Sequence, residues 1–254
     1  MFFVGHISIA FILSCFIVTR FQIRNISLSL ILFLSILPDI DILFRFLGTD
    51  IAHRSVTHSI IVFSIILSIF LLKYRRSSIM VYSIAYLSHI AIGDLIIGPL
   101  NVLYPFGTFY STSGIDFKTS EHLIVEGLVL AIMATIVVSQ YLCNRKQIST
   151  FPFEYSKKLD PIFYPMVIAA MIVSPAFLLD ESQKELLEFP NTFSLLFKSY
   201  YDFNTLAILA LHVISTAIVV FIWIITKRIY ISNISTMQQH PYEAKEKQHS
   251  QYKL

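Results

Sequence analysis

The chain has 254 residues, of which 56% are hydrophobic and only 14% charged, with a formal net charge of +3. A soluble domain carries about 25% charged residues, so this composition excludes an ordinary soluble enzyme, and no nucleic-acid partner is expected. With a mean hydropathy of +0.70 and apolar runs approaching the length of about 20 residues that a helix needs to span a bilayer, the lipid bilayer is the expected environment; barrel strands are shorter.

Apolar runs predict seven helices, at roughly 3–19, 26–44, 57–72, 79–98, 122–142, 162–179 and 205–226. The expected fold class is all-α, a polytopic transmembrane bundle over residues 1–231, multi-pass in the cell membrane. A polar tail, 232–254, is read as disordered and cytoplasmic. The first span has no basic stretch ahead of it. Its nearest cations, Arg20 and Arg24, follow it, which sets it apart from a signal peptide and leaves the N-terminus outside. Pro38 interrupts the second span, and Asp39 and Asp41 follow at once. The third opens after His53-Arg54-Ser55-Val56-Thr57-His58-Ser59. The fourth carries His89 and Asp94, the fifth opens with Glu121, His122 and Glu126, and the seventh carries His212.

Between the last two spans, 180–204 mixes aromatic and charged residues, as an interfacial helix, a lid or a packed loop would. Cys15 and Cys143 form no metal pair and read as packing residues. Cations such as Arg20, Arg24, Lys73, Arg75, Arg76, Arg145 and Lys146 crowd one set of loops, against Arg45, Arg54, Lys118, Lys184 and Lys198 on the other. The positive-inside rule puts the first set in the cytoplasm, giving an N-out, C-in orientation.

On that topology every histidine outside the tail falls toward the outer face, although none was used to set the orientation. Ionisable residues inside a membrane are costly and mark functional sites. Asp and His are the ligand types of divalent metals. His6, Asp39, Asp41, His58, His89 and Asp94 are therefore the candidate ligands. His122 and His212 read as structural. Zinc, as one or two ions, is the expected metal. A closely spaced Asp pair is able to bridge two ions, and Thr57 and Ser59 are placed to orient a ligand histidine. Arg54 is suited to an anionic substrate, and His53 to a ligand or to the acid that protonates a leaving group. Ser59 is a possible nucleophile, but no glycine-flanked elbow surrounds it.

Gly5-His6, Pro38-Asp39-Ile40-Asp41, His53 to Ser59, His89 with Asp94, and Tyr104-Pro105-Phe106 together resemble a family of membrane-bound, metal-dependent hydrolases, the LexA-binding or LexA-regulated inner-membrane type. The resemblance covers residues 5–106. It implies hydrolysis without defining a substrate. Ser55 stands where the family has Gly. His89 and Asp94 are five apart where the family has four, and on a regular helix only the four-residue spacing shares a face. Gly93 gives room for a loosened turn or a bulge between them.

The reading is a hydrolase cleaving an ester or phosphoester of an amphiphilic, lipid-like substrate at the outer face, with the lipid bilayer as its surroundings. One rival is a metal- or proton-coupled transporter, which needs polar residues continuing to the cytoplasmic side. The other is a structural membrane protein, in which His and Asp pair off one to one.

Overall fold

A computed structural model describes residues 3–40, 56–73, 76–94, 103, 119–145, 152–183 and 203–239. These residues form helices and the turns that join them, with no strand among them. In chain order they form α1 (Phe3–Arg20), α2 (Leu28–Ile36) with a 3-10 turn (Leu37–Ile40), α3 (Ile60–Lys73), and α4 (Arg76–Ser88) with a π turn (His89–Asp94). Then follow α5 (Ser120–Arg145), α6 (Asp160–Gln183) and α7 (Phe203–Gln239). Each element falls on one of the seven predicted segments. The last helix runs past the expected domain boundary at 231, to Gln239.

Among the described residues, three helices, α1, α5 and α7, are long and apolar enough to cross a membrane. The apolar stretches of α2, α3 and α6, Leu28–Asp39, Ile60–Ile69 and Asp160–Ser174, are shorter. Pro38 explains the first case. It has no N–H for the helical ladder, and the α-helix gives way to the tighter turn that carries Asp39.

α1 is the hub. It packs against α2, α4, α5, α6 and α7 and against the π turn. Of its membrane-length window, 72% is buried inside the protein, against 33% for α5 and for α7. A helix apolar on all sides belongs in such an interior position. Ile7, Ala10, Phe11, Ile31, Leu32, Val81, Met133 and Ile222 form the core around it. α3 lies at the edge, packed on α4, with Ile65, Ile69, Leu71 and Leu72 exposed.

α1 ends in a Schellman turn. Gln22 takes the left-handed position at φ 51, and Ile23 N–H donates to the Val18 carbonyl at 3.1 Å, the bond that closes this motif. The Gln22 side chain caps the Thr19 carbonyl at 2.9 Å. The chain then turns into α2, where Ser27 is the N-cap.

A buried carboxylate locks α6 to this corner. Asp160 Oδ1 accepts from the Ser27 hydroxyl at 2.8 Å and the Ser29 hydroxyl at 2.6 Å, and Oδ2 accepts from Ser156 N–H at 3.1 Å. Ser156 Oγ in turn accepts from Leu159 N–H at 3.2 Å, a reciprocal cap of the capping-box kind. Glu154 N–H donates to the Ile26 carbonyl at 3.0 Å. Asp160→Ala would leave two hydroxyls and an N–H without their acceptor. Since hydrogen bonds to a charged group contribute about 1.5–3 kcal/mol each and unmet buried donors carry their own cost, a marked drop in the thermal midpoint of the detergent-solubilised protein is expected. An unchanged midpoint would show that the corner is held by apolar packing alone.

Candidate metal centre

Four connections bring polar side chains to one end of the bundle. His6 lies in the first turns of α1. Asp39 sits in the 3-10 turn that ends α2. His58 immediately precedes α3, whose N-cap is Ser59: its hydroxyl accepts from Ile61 N–H at 3.2 Å, and its carbonyl accepts from Phe63 N–H at 3.0 Å. His89 and Asp94 open and close the π turn. All five are buried, with His6, His58 and His89 fully so.

The π turn answers the five-residue spacing. Its i to i+5 bonding widens the helix by one residue per turn, so that His89 and Asp94 reach the same cluster. His89 Nε2 lies 3.1 Å from Asp94 Oδ2.

The distances define a compact donor set. His58 Nε2 is 2.8 Å from Asp94 Oδ2 and 3.6 Å from Asp39 Oδ1. His89 Nε2 is 3.4 Å from Asp39 Oδ1, and the two Nε2 atoms are 3.2 Å apart. One ligand atom from each of Asp39, His58, His89 and Asp94 lies within 4.8 Å of all the others. Tetrahedral zinc, with bonds of about 2.0–2.2 Å, needs ligand atoms about 3.3–3.5 Å apart. The spacings here lie around that value.

The tautomers fit as well. His89 Nδ1 is 2.6 Å from the Ser35 carbonyl. A carbonyl only accepts, so Nδ1 carries the proton and Nε2 of the neutral ring presents its lone pair to the cluster. Thr57 Oγ1 stands 3.3 Å from His58 Nδ1, close enough to hold that ring in orientation. Tyr86 in turn donates from its hydroxyl to the Thr57 carbonyl, and its ring stacks on Phe63 with centroids 5.2 Å apart. The turn bearing His58 is thus pinned from α4. Such outer hydrogen bonds fix the tautomer and orientation of ligand histidines. Two imidazole lone pairs and two carboxylates facing one another in a dry interior repel unless a cation stands among them. The residues fit a divalent metal.

Of the candidate ligands, the structure gathers His6, Asp39, His58, His89 and Asp94. His6 stands one layer behind the tight set of four, its ring stacked on that of His89 with centroids 3.6 Å apart. Asp41, His53 and Arg54 lie outside the described residues, as does 184–202 of the expected interfacial segment. Ser59 is buried and serves as the cap described above.

A second buried group, which the sequence reading treated as structural, occupies the start of α5 and the early part of α7. His122 Nε2 lies 3.2 Å from Glu126 Oε1, and His212 Nδ1 donates to the Ile208 carbonyl at 2.8 Å. Full burial of Glu126 is the feature that sequence reasoning passed over. Its signal was a carboxylate one turn after a histidine in an apolar helix. The Ser35 carbonyl and Tyr86 were also missed.

Fold and site together define an integral membrane protein, a helical bundle that buries an Asp/His set close enough to hold a metal ion. The chain belongs to the YdjM inner membrane protein family, whose model matches residues 1–156. That span contains all five clustered residues and ends beside the corner closed by Asp160. No curated protein and no solved structure matches the chain.

Proposed function

We propose that the protein is a metal-dependent hydrolase of the membrane, cleaving an ester or phosphoester of an amphiphilic, lipid-like substrate, with zinc as its metal. The observation that carries this reading is the sharing of ligands: His58 and His89 each contact both Asp39 and Asp94. A structural role calls for pairs, one histidine to one aspartate. A transporter calls for a continuous polar path; among the described residues the core is mostly apolar, with His122, Glu126, His212 and Asp160 as the buried ionisable groups outside the cluster.

In this reading all seven helices cross the bilayer, N-terminus outside, and the cluster lies at the outer face. The asymmetry of cations between the two sets of loops supports that orientation. A divalent ion held there supplies Lewis-acid polarisation of the scissile group and activation of water. Water adds its oxygen to the carbonyl carbon or phosphorus, the bond to the alcohol oxygen breaks, and one water proton ends on the departing alcohol. His89, fixed by the Ser35 carbonyl, and His58, fixed through Thr57 and Tyr86, hold their donor atoms in place through this change. His53 is assigned proton delivery to the leaving group and Arg54 the anionic part of the substrate, on their place in the sequence before the His58 turn.

The test is direct. Zinc-loaded protein reconstituted in phosphatidylethanolamine–phosphatidylglycerol vesicles, and presented separately with chromogenic carboxylic and phosphate esters, is expected to release product in a chelator-sensitive manner. Absence of cleavage across both ester classes, with zinc shown to be bound, would sink the hydrolase reading.

A further inference from the structure

The cluster offers more donor atoms than one ion takes. Asp39 turns Oδ1 toward His58 and His89, and Asp94 turns Oδ2 toward the same pair. The opposite oxygens face His6: its Nε2 lies 4.0 Å from Asp39 Oδ2 and 3.8 Å from Asp94 Oδ1. The His6 and His89 rings are nearly parallel, 13° apart in plane, with centroids separated by 3.6 Å. Both rings approach the two carboxylates through Nε2, but each meets a different pair of oxygens. Paired hydrolytic ions stand about 3.5–4 Å apart, so the stacking distance matches the spacing of two ions that each take one of these nitrogens.

We propose that His6, with Asp39 Oδ2 and Asp94 Oδ1, forms a second divalent-cation position, and that both aspartates bridge it to the first. The assignment rests on reading Asp39, His58, His89 and Asp94 as a metal centre. One imidazole and two carboxylate oxygens form a donor set suited to Zn2+ or Mn2+. Gly93 gives independent support. A Cβ built there would overlap Cε1 and Nδ1 of His6, so the glycine is what admits the His6 ring beside the π turn. A centre of four ligands and one ion has no need of that close approach.

Stripped protein in detergent is reloaded with excess zinc, freed of unbound metal, and its metal content measured against protein. The wild type is expected to hold two zinc ions per chain, and His6→Ala one. Gly93→Ala, which displaces the His6 ring and leaves its chemistry intact, is also expected to hold one. With manganese, the wild type is expected to show the paramagnetic resonance signal of an exchange-coupled pair, and His6→Ala that of an isolated ion. One zinc in the wild type, with an isolated manganese signal, overturns the second position and leaves the four-residue centre standing. No zinc in the wild type overturns the centre itself. Should His6→Ala fail to fold, the wild-type stoichiometry and spectrum still decide.

Discussion

Replacing His58 by alanine is expected to cost the protein its tightly held divalent metal, lowering zinc affinity by well over about a hundredfold. Loss of a group that merely supports a ligand costs about 10–100-fold in metal affinity. His58 is placed as a ligand itself, with Nε2 closer to Asp94 than any other nitrogen of the cluster, at 2.8 Å. The substitution leaves the local frame in place. Ser59 still caps α3, and the Thr57 carbonyl still accepts from Tyr86. α3 is also the most peripheral helix of the bundle, packed on α4, so loss of metal should not be a by-product of unfolding. Zinc competition against a fluorescent chelator, with helicity measured alongside, checks the result. Ser59→Ala is the matching control: it weakens a helix cap by about 1 kcal/mol and should leave zinc bound. Wild-type affinity in His58→Ala would remove this imidazole from the ligand set.

The parts of the site that the sequence revealed are those whose chemistry resides in side chains foreign to lipid. His6, Asp39, His58, His89 and Asp94 stand out because an apolar helix has few other reasons to carry them. Their meeting followed from alternating helix directions and one shared end. The spacing of His89 and Asp94 announced an irregularity and Gly93 its place, but only coordinates show that a π turn resolves it and that the missing Cβ makes room for His6. The Ser35 carbonyl that fixes His89 belongs to the main chain, which has no identity in a sequence. Asp160 was equally hard to read, because its partners Ser27 and Ser29 are far away in the chain and hydroxyls are common in membrane helices. Helix positions were legible from hydropathy. The break in the second span was legible too, since Pro38 marks it, but not that the chain there takes a 3-10 turn that carries Asp39.

Metal removal and carboxylate neutralisation should act in opposite directions on stability, and this crossing distinguishes a metal centre from a set of buried ion pairs. An ion that binds only the folded state stabilises it by about 2.7 kcal/mol at a hundred times its Kd. In a chain of this size each kcal/mol moves the thermal midpoint by about 2–4 °C. Chelation of the wild type is therefore expected to lower its midpoint by roughly 5–10 °C. Asp94→Asn removes one of two mutually repelling carboxylates together with one anionic ligand. Its midpoint should respond little to zinc or chelator. In chelator it should equal or exceed that of the wild type, because the charge left uncompensated in the apo protein is smaller. If Asp94 instead serves to pair with protonated histidines, the same substitution strands their positive charge and costs about 3–5 kcal/mol whether or not zinc is present. Two proteins melted in zinc and in chelator give four midpoints. Lines that cross mark Asp94 as a metal ligand, and parallel lines with the variant lower throughout mark it as a counter-ion.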